Sequence, residues 1–186
     1  MPSDLQVSNL KDLTGSNTGL SIASDGQVTI SQNNPTVTLG SNATFPAGHV
    51  IQVVQKADSA DYINSSTTHQ QATQTATFNL SNNSNKVLVT VNCLTQATYS
   101  SAAGVRLEIY RGSLASGTRI TSGTEPQNYI SNPGTEMYII STLQCLDTPG
   151  GSTTYSLVFY KHGSSGTARI KGAFFNTIIT LQEITV

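Results

Sequence analysis

The residues able to do chemistry are few and scattered along the chain. The three histidines, His49, His69 and His162, lie far apart, and none has a second ligand at metal spacing. Zinc wants clustered Cys and His ligands, and neither Cys-x-x-Cys nor His-x-x-x-His occurs. Asp58-x-x-Asp61 offers two acids to a calcium ion, but without the loop pattern of a calcium hand. Gly19-Leu20-Ser21-Ile22-Ala23 faintly echoes a nucleophile elbow, a motif that needs a strand-to-helix turn, whereas Ser21 sits mid-strand. Paired carboxylates for glycoside cleavage would have to be assembled in space, because the ten acids form no cluster. The expectation is a non-enzymatic protein with no cofactor. The tyrosines are the better candidates. Tyr62, Tyr99 and Tyr129 fall in or beside expected loops, where a ring can stack on a sugar or pack in an interface. Tyr138, Tyr155 and Tyr160 fall in expected strands, where a core or sheet-face role is the simpler one.

Composition narrows the partners. Of 186 residues, 37% are hydrophobic and 10% charged, against roughly 25% charged in an average domain. Ser, Thr, Asn and Gln supply the missing polarity, which suits pleated strands and tight turns rather than disorder. The net charge of -1 and nine scattered Lys and Arg make no basic face, which argues against nucleic acid. Near-zero net charge gives little protection against association, no handicap for a protein that assembles. No signal-peptide pattern opens the sequence and no apolar run approaches ~20 residues, so a soluble cytoplasmic product without membrane insertion is expected. The sequons at Asn42, Asn64, Asn79 and Asn82 are then by-products of an Asn/Ser/Thr-rich chain. Cys93 and Cys145 both fall in expected strands. An isolated pair is no disulfide framework, and the expectation is two free buried thiols, an inter-sheet bridge being the alternative.

The elements that must position these residues are all extended. Before Thr44 the apolar beats are short and separated by turn residues, and Asp25-Gly26 between Leu20–Ile22 and Val28–Ile30 reads as a hairpin. Ser3-x-x-Gln6 has the form of a capping box, but no helical spacing follows it. The apolar side chains Leu5, Val7, Leu10, Leu20, Ile22, Val28, Ile30, Val37 and Leu39 contribute about 1.5–3 kcal/mol each on full burial. That cannot offset ordering some 45 residues at ~1–2 kcal/mol apiece, so residues 1–45 are expected to be ordered by other chains, as a stalk or an anchor. Phe45-Pro46-Ala47-Gly48 reads as a hinge built on a type I turn. His49–Gln55, apolar on both faces, reads as a buried strand, and residues 56–73 as a long loop.

Beyond the hinge the strand signals become dense. Lys86–Leu94 places Val87, Val89, Val91 and Cys93 on one face. Val105, Leu107 and Ile109 alternate with Arg106, Glu108 and Tyr110. A short strand is expected near Arg119, a longer one over Glu136–Leu146. Tyr155, Leu157 and Phe159 point inward, His162–Gly166 reads as a hairpin turn, and Asn176–Val186 closes the chain. The fold class is therefore all-β: a jelly-roll-like antiparallel β-sandwich over residues 46–186, preceded by an extended N-terminal β-rich segment.

Four runs carry a family resemblance. They are Leu5-Gln6-Val7-Ser8-Asn9-Leu10-Lys11-Asp12, Gly19 to Thr29, the hinge run Asn42-Ala43-Thr44-Phe45-Pro46-Ala47-Gly48-His49-Val50-Ile51-Gln52, and the ending Ile179-Thr180-Leu181-Gln182-Glu183-Ile184. Together, about a quarter of the chain, they resemble segments of tail-fibre and related virion surface proteins of aquatic, especially cyanobacterial, tailed phages. The resemblance implies a homotrimer with a jelly-roll-like head and an N-terminal stalk, located on the virion and serving host attachment or decoration, with no catalytic site. Fibres of that kind are commonly much longer, which raises a short tip or a head-surface protein. The expected function is thus a virion structural protein, a short fibre or surface protein with host-surface glycan contact at Tyr62, Tyr99 and Tyr129. Its partners would be other virion proteins through residues 1–45. The alternatives are a capsid cement protein and a free carbohydrate-binding module.

Overall fold

In the computed structural model, which describes residues 9–11, 18–22, 28–29, 45–98, 103–121, 128–130 and 136–186, contacts divide the chain into Met1–Thr44 and Phe45–Val186. In the first unit, strands β1 (Asn9–Lys11), β2 (Thr18–Ile22) and β3 (Val28–Thr29) form an antiparallel sheet in that order. The register Ser21↔Thr29 and Ile22↔Val28 is the hairpin expected around Asp25-Gly26. Ser21 is paired on both sides, with Asn9 and Thr29, so it is indeed mid-strand.

The second unit is all-β, with no helix among the described residues. Its strands are β4 (Val50–Asp58), β5 (Asp61–Asn64), β6 (Gln70–Gln74), β7 (Lys86–Thr98), β8 (Ala103–Arg111), β9 (Thr118–Arg119), β10 (Asn128–Ile130), β11 (Glu136–Asp147), β12 (Tyr155–His162), β13 (Thr167–Lys171) and β14 (Thr177–Ile184). Eight of them make two facing rows, β4-β14-β7-β11 and β6-β12-β8-β10. With β5, β9 and β13 set aside, those rows read first-eighth-third-sixth and second-seventh-fourth-fifth along the chain. That order is a jelly roll, two Greek keys folded over one another. β13 and β5 extend the larger sheet beyond β14 along the same edge of β7, and β9 pairs with β8.

Period-2 patterning explains the core. Val87, Val89, Val91, Cys93 and Ala97 of β7, with Ile179 and Leu181 of β14 and Ile170 of β13, face Val105, Leu107 and Ile109 of β8 and Tyr155, Leu157 and Phe159 of β12. β-branched and aromatic side chains fill a pleated interior at little entropic cost.

Four expectations are corrected. Residues 56–73 are not one loop, because β4 runs to Asp58, β5 lies within them and β6 begins at Gln70. The single Tyr62-Ile63 pair of β5 and the Gln, Ala and Thr side chains of β6 show no apolar alternation, and pairing to β13 and β12 makes them strands. His49–Gln55 is not buried. β4 is the sheet edge, paired only to β14, and leaves Val50, Val53 and Val54 exposed. His162–Gly166 is not a hairpin turn, since β12 and β13 belong to different sheets and the segment carries the chain across the sandwich. The hinge turn is shifted by one residue. His49 N–H donates to Pro46 O at 3.4 Å, and Gly48 takes φ +88° at the third position, as a type II turn requires.

That turn is also clamped. Gly48 N–H donates to Thr185 O (2.9 Å), Thr185 N–H to His49 O (3.0 Å), and Thr185 Oγ1 to Pro46 O (2.6 Å). Pro46–His49 is therefore hydrogen-bonded into the head through the strand that closes the chain.

Candidate functional site

Two outward surfaces of the sandwich carry unusual chemistry. The first is the outer face of the larger sheet. The register aligns side chains in rows across four strands: Gln144, Thr90, Thr180 and Gln55 in one, Thr142, Asn92, Ile178 and Ala57 in the next, and Leu146, Leu88, Gln182 and Val53 beyond. Gln144 Nε2 donates to Thr90 Oγ1 and Gln55 Nε2 to Thr180 Oγ1, both at 3.2 Å, while Thr142 Oγ1 donates to Asn92 Oδ1 at 2.7 Å. Further along, Ile140 faces Leu94, and Gln96 Nε2 donates to Tyr138 Oη at 2.9 Å. The first three rows hold no Asp, Glu, Lys or Arg, and charge returns only beyond them, with Arg169 opposite Gln96, Glu136 accepting from Tyr138 Oη, and Lys86 opposite Ile184. Ile140 is 60% exposed and Leu146 53%. Soluble sheets normally protect such a face, and above all its edges, with charge.

The second surface lies on the outer face of the smaller sheet, around Glu108 of β8. Its carboxylate is 5% exposed. Oε1 accepts from Arg119 Nη1 (2.9 Å) and Tyr160 Oη (3.3 Å), while Oε2 lies 3.1 Å from His69 Nε2 without hydrogen-bond alignment. His69 in turn stacks on Tyr160, ring centroids 4.1 Å apart. Arg119 reaches Glu108 because β9 pairs with β8 at the end of a tight loop. Gly117 N–H donates to Ser113 O there, and a Cβ on Gly117 would sit 2.4 Å from the Arg111 and Ser113 carbonyl oxygens. The Glu108 contact holds the Arg119 guanidinium more firmly protonated, while burial and then the Glu108 charge push the Tyr110 phenol up.

Beside this neutralised pair, Arg106 is alone. Its guanidinium lies 5.7 Å from the Tyr160 ring centroid, and Nη1 donates to Tyr160 Oη at 3.4 Å. No carboxylate pairs with it among the described residues, and its Nε is buried without a partner. One row further along β8, Tyr129 of β10 and His162 of β12 flank Gly104, with ring centroids 5.8 Å apart.

The tyrosines predicted to contact ligand fare differently. Tyr129 is exposed and joins the second surface. Tyr62 does not. It lies in β5, packs against the core, and donates its hydroxyl to Asp58 Oδ2 at 2.8 Å, with burial pushing its phenol up to about 12. Tyr99 lies outside the described residues. Of the N-terminal set, Leu10 falls in β1, Leu20 and Ile22 in β2 and Val28 in β3. Leu5, Val7, Ile30, Val37 and Leu39 lie outside the described residues. Asp58 and Asp61 are taken by the fold, Asp58 accepting from Ala60 N–H and Tyr62, Asp61 from Ala173 N–H and the Lys171 ammonium. Asn64 spends its amide on the Thr68 and Phe159 carbonyls. Cys93 and Cys145 are both free, the first buried and the second half-buried.

No protein-family model matches the chain, and no curated protein does. Among solved structures, the infectious bursal disease virus VP2 subviral particle is similar at a TM-score of 0.43 and 11% identity, over 82% of this chain and 43% of that one. The Gt strain of infectious bursal disease virus gives 0.41 and 15%, over 91% and 47%. This chain spans less than half the length of those proteins. The jelly-roll assignment rests on the strand order above and not on these likenesses.

Sequence reasoning missed Glu108 and its neighbours. The signal was the alternation itself, which puts Arg106, Glu108 and Tyr110 on one face opposite the core residues. It also missed Glu183, whose parity with Ile179 and Leu181 makes it inward-facing and buried.

Proposed function

We propose that the protein is a non-enzymatic virion structural protein of a tailed phage, a short fibre or head-surface protein. In this reading residues 1–45 anchor it to other virion proteins, and the jelly-roll head associates as a homotrimer and faces outward to the host surface. The observation that carries the reading is the open patch of three charge-free rows on the outer face of the larger sheet. Threonine, glutamine and aliphatic rows exposed across four strands suit burial against a second copy, and no charge on them would be desolvated. The four runs that resemble phage fibre proteins support the same reading. A jelly roll alone does not choose among roles, since capsid, lectin and enzyme domains share it.

The test is placement and stoichiometry. Immunogold labelling of purified particles is expected to find the protein on the virion exterior, and mass photometry of the soluble protein is expected to give a trimer. Labelling spread over the capsid shell, with shells weakened when the protein is absent, would make it a cement protein. A monomer absent from particles would overturn the virion reading.

A further inference from the structure

We propose that the outer face of the smaller sheet, at Tyr129, His162, Arg106 and Tyr160, is a binding site for a carboxylated sugar. The sugar ring lies across Tyr129 and His162, and its carboxylate is held by the Arg106 guanidinium. The argument begins with charge. Glu108, at the foot of the cluster, is already matched by Arg119 at 2.9 Å, with His69 at 3.1 Å on its other oxygen. Arg106 is left as the one guanidinium of the cluster with no acid against it, and a single 3.4 Å contact to Tyr160 Oη meets one of its five donors. Its Nε is buried without a partner, so an incoming anion meets the terminal Nη1 and Nη2, whose hydrogen-bonding capacity Tyr160 alone leaves largely unused. Its planar fork matches a carboxylate in two parallel hydrogen bonds.

The rest of the surface selects what carries the carboxylate. Tyr129 and Arg106 stand on the same sheet face in rows two residues apart, a spacing of roughly 7 Å along a strand. That separation fits a pyranose ring bearing its acid group. The Tyr129 and His162 rings, tilted 58° to one another across the side-chain-free Gly104, form an apolar shelf for the C–H face of the ring. Aromatic side chains with a polar tip suit such half-wet contacts. One unmatched cation is too few for a phosphate backbone, which needs a row of them. The site lies on the sheet opposite the proposed assembly face and goes beyond that reading. Its test uses the soluble protein, so either can fail without the other.

The experiment is calorimetric titration of the full chain with trisaccharides of galacturonate, glucuronate and N-acetylneuraminate, with their methyl esters, and with acetate and inorganic phosphate. At least one acid is expected to bind, its ester about tenfold more weakly, and acetate and phosphate more weakly still. Arg106→Gln is expected to lose about tenfold in affinity for the acid and little for the ester, and Tyr129→Ala to weaken both. Arg106→Lys keeps the charge without the fork and is expected to fall between wild type and Arg106→Gln. It also serves if Arg106→Gln fails to fold, as judged by its melting profile. No binding by any acid, equal binding of acid and ester, or unchanged affinity in both Arg106 variants overturns the proposal. Acetate or phosphate binding as tightly as the sugars would reduce the site to an anion contact and overturn it too.

Discussion

Glu183 offers the sharpest check on the reasoning used for this head. Its side chain is fully buried at the end of β14, yet no Lys, Arg or His lies within ion-pair reach among the described residues. Hydrogen bonds hold it. Oε1 accepts from Ser81 N–H, Ser81 Oγ and Asn85 Nδ2, each at 2.8 Å, and from Asn82 N–H at 3.4 Å. With its nitrogen turned inward, the Gln52 amide donates to Oε2 and to Asn79 O at 3.1 Å each. The carboxylate thus ties the 81–85 turn to the edge strand β4 and the closing strand β14. Glu183→Ala removes the acceptor, leaves the buried Asn85 amide with Ser81 Oγ alone at 3.2 Å, and strands the Ser81 donors and one bond of Gln52. At ~1–3 kcal/mol for each unsatisfied donor, partly recovered by water entering the space, the expected loss is about 3–5 kcal/mol. Glu183→Gln keeps the shape and one acceptor oxygen. Gln52 can rotate its amide to accept from the new NH2, at the expense of its bond to Asn79 O, so the expected loss is only ~1–2 kcal/mol. Urea unfolding followed by tyrosine fluorescence would measure both, with m unchanged and the midpoint lowered in that order. Equal losses for the two variants, or a loss below about 1 kcal/mol for alanine, would refute the idea that donor satisfaction fixes this corner.

Other consequences can be checked together. Ile140→Lys puts a charge on the outer strand β11 beside the charge-free patch, at a 60% exposed position, so it is expected to dissociate the proposed trimer in mass photometry while shifting stability by less than about 0.5 kcal/mol. Burial alone pushes the Cys93 thiol up to about 12, so Ellman's reagent at pH 8 is expected to react with Cys145 first and with Cys93 only on unfolding. The Lys171 hydrogen bond, then the Ala173 N–H, holds the Asp61 carboxyl below the usual range. A group with a depressed folded pKa contributes stability that is present above about pH 4 and lost as pH falls through the folded value. Asp61→Asn is therefore expected to lower the melting temperature at pH 7 more than at pH 3, and a uniform shift would sink that assignment.

Legibility in the sequence followed the chemistry of each strand. β7, β8, β11, β12 and β14 could be read because β-branched and aromatic residues alternate where one face is buried. The strands β5 and β6 could not. In Asp61–Asn64 only Tyr62-Ile63 favours a strand, a run too short to show a period, and Gln70–Gln74 carries only Gln, Ala and Thr. The extended form of both comes from pairing with β13 and β12, a non-local cause that no window of sequence contains. β4 failed for the opposite reason. A run that is apolar on both faces marks a central strand only if both faces are covered, and here the lateral position, set by β14, leaves Val50 and Val53 in the open. The polar clusters were half legible. Parity places Glu108 on an outward face and Glu183 on an inward one, but neither His69, 39 positions upstream of Glu108, nor the 81–85 turn beneath Glu183 can be paired with them before the topology is known.

The two sheets of this sandwich treat polarity in opposite ways. Across β11, β7, β14 and β4 the larger sheet has a patch whose outward hydrogen bonds join neutral groups, Gln144 to Thr90, Gln55 to Thr180 and Thr142 to Asn92, which lose little when a second protein covers them. Charges return beyond that patch, at Glu136, Arg169 and the Lys171–Asp61 pair. On the smaller sheet, charge is concentrated instead at Arg106, Glu108 and Arg119, interleaved with Tyr160, Tyr129 and two histidines. Covering that side with another apolar surface would strand an unmatched guanidinium, so it is the poorer face for protein burial and the better one for a small anion. Under the proposed reading, one fold separates a face suited to assembly from a face suited to recognition, so that neither surface competes for the other's partner.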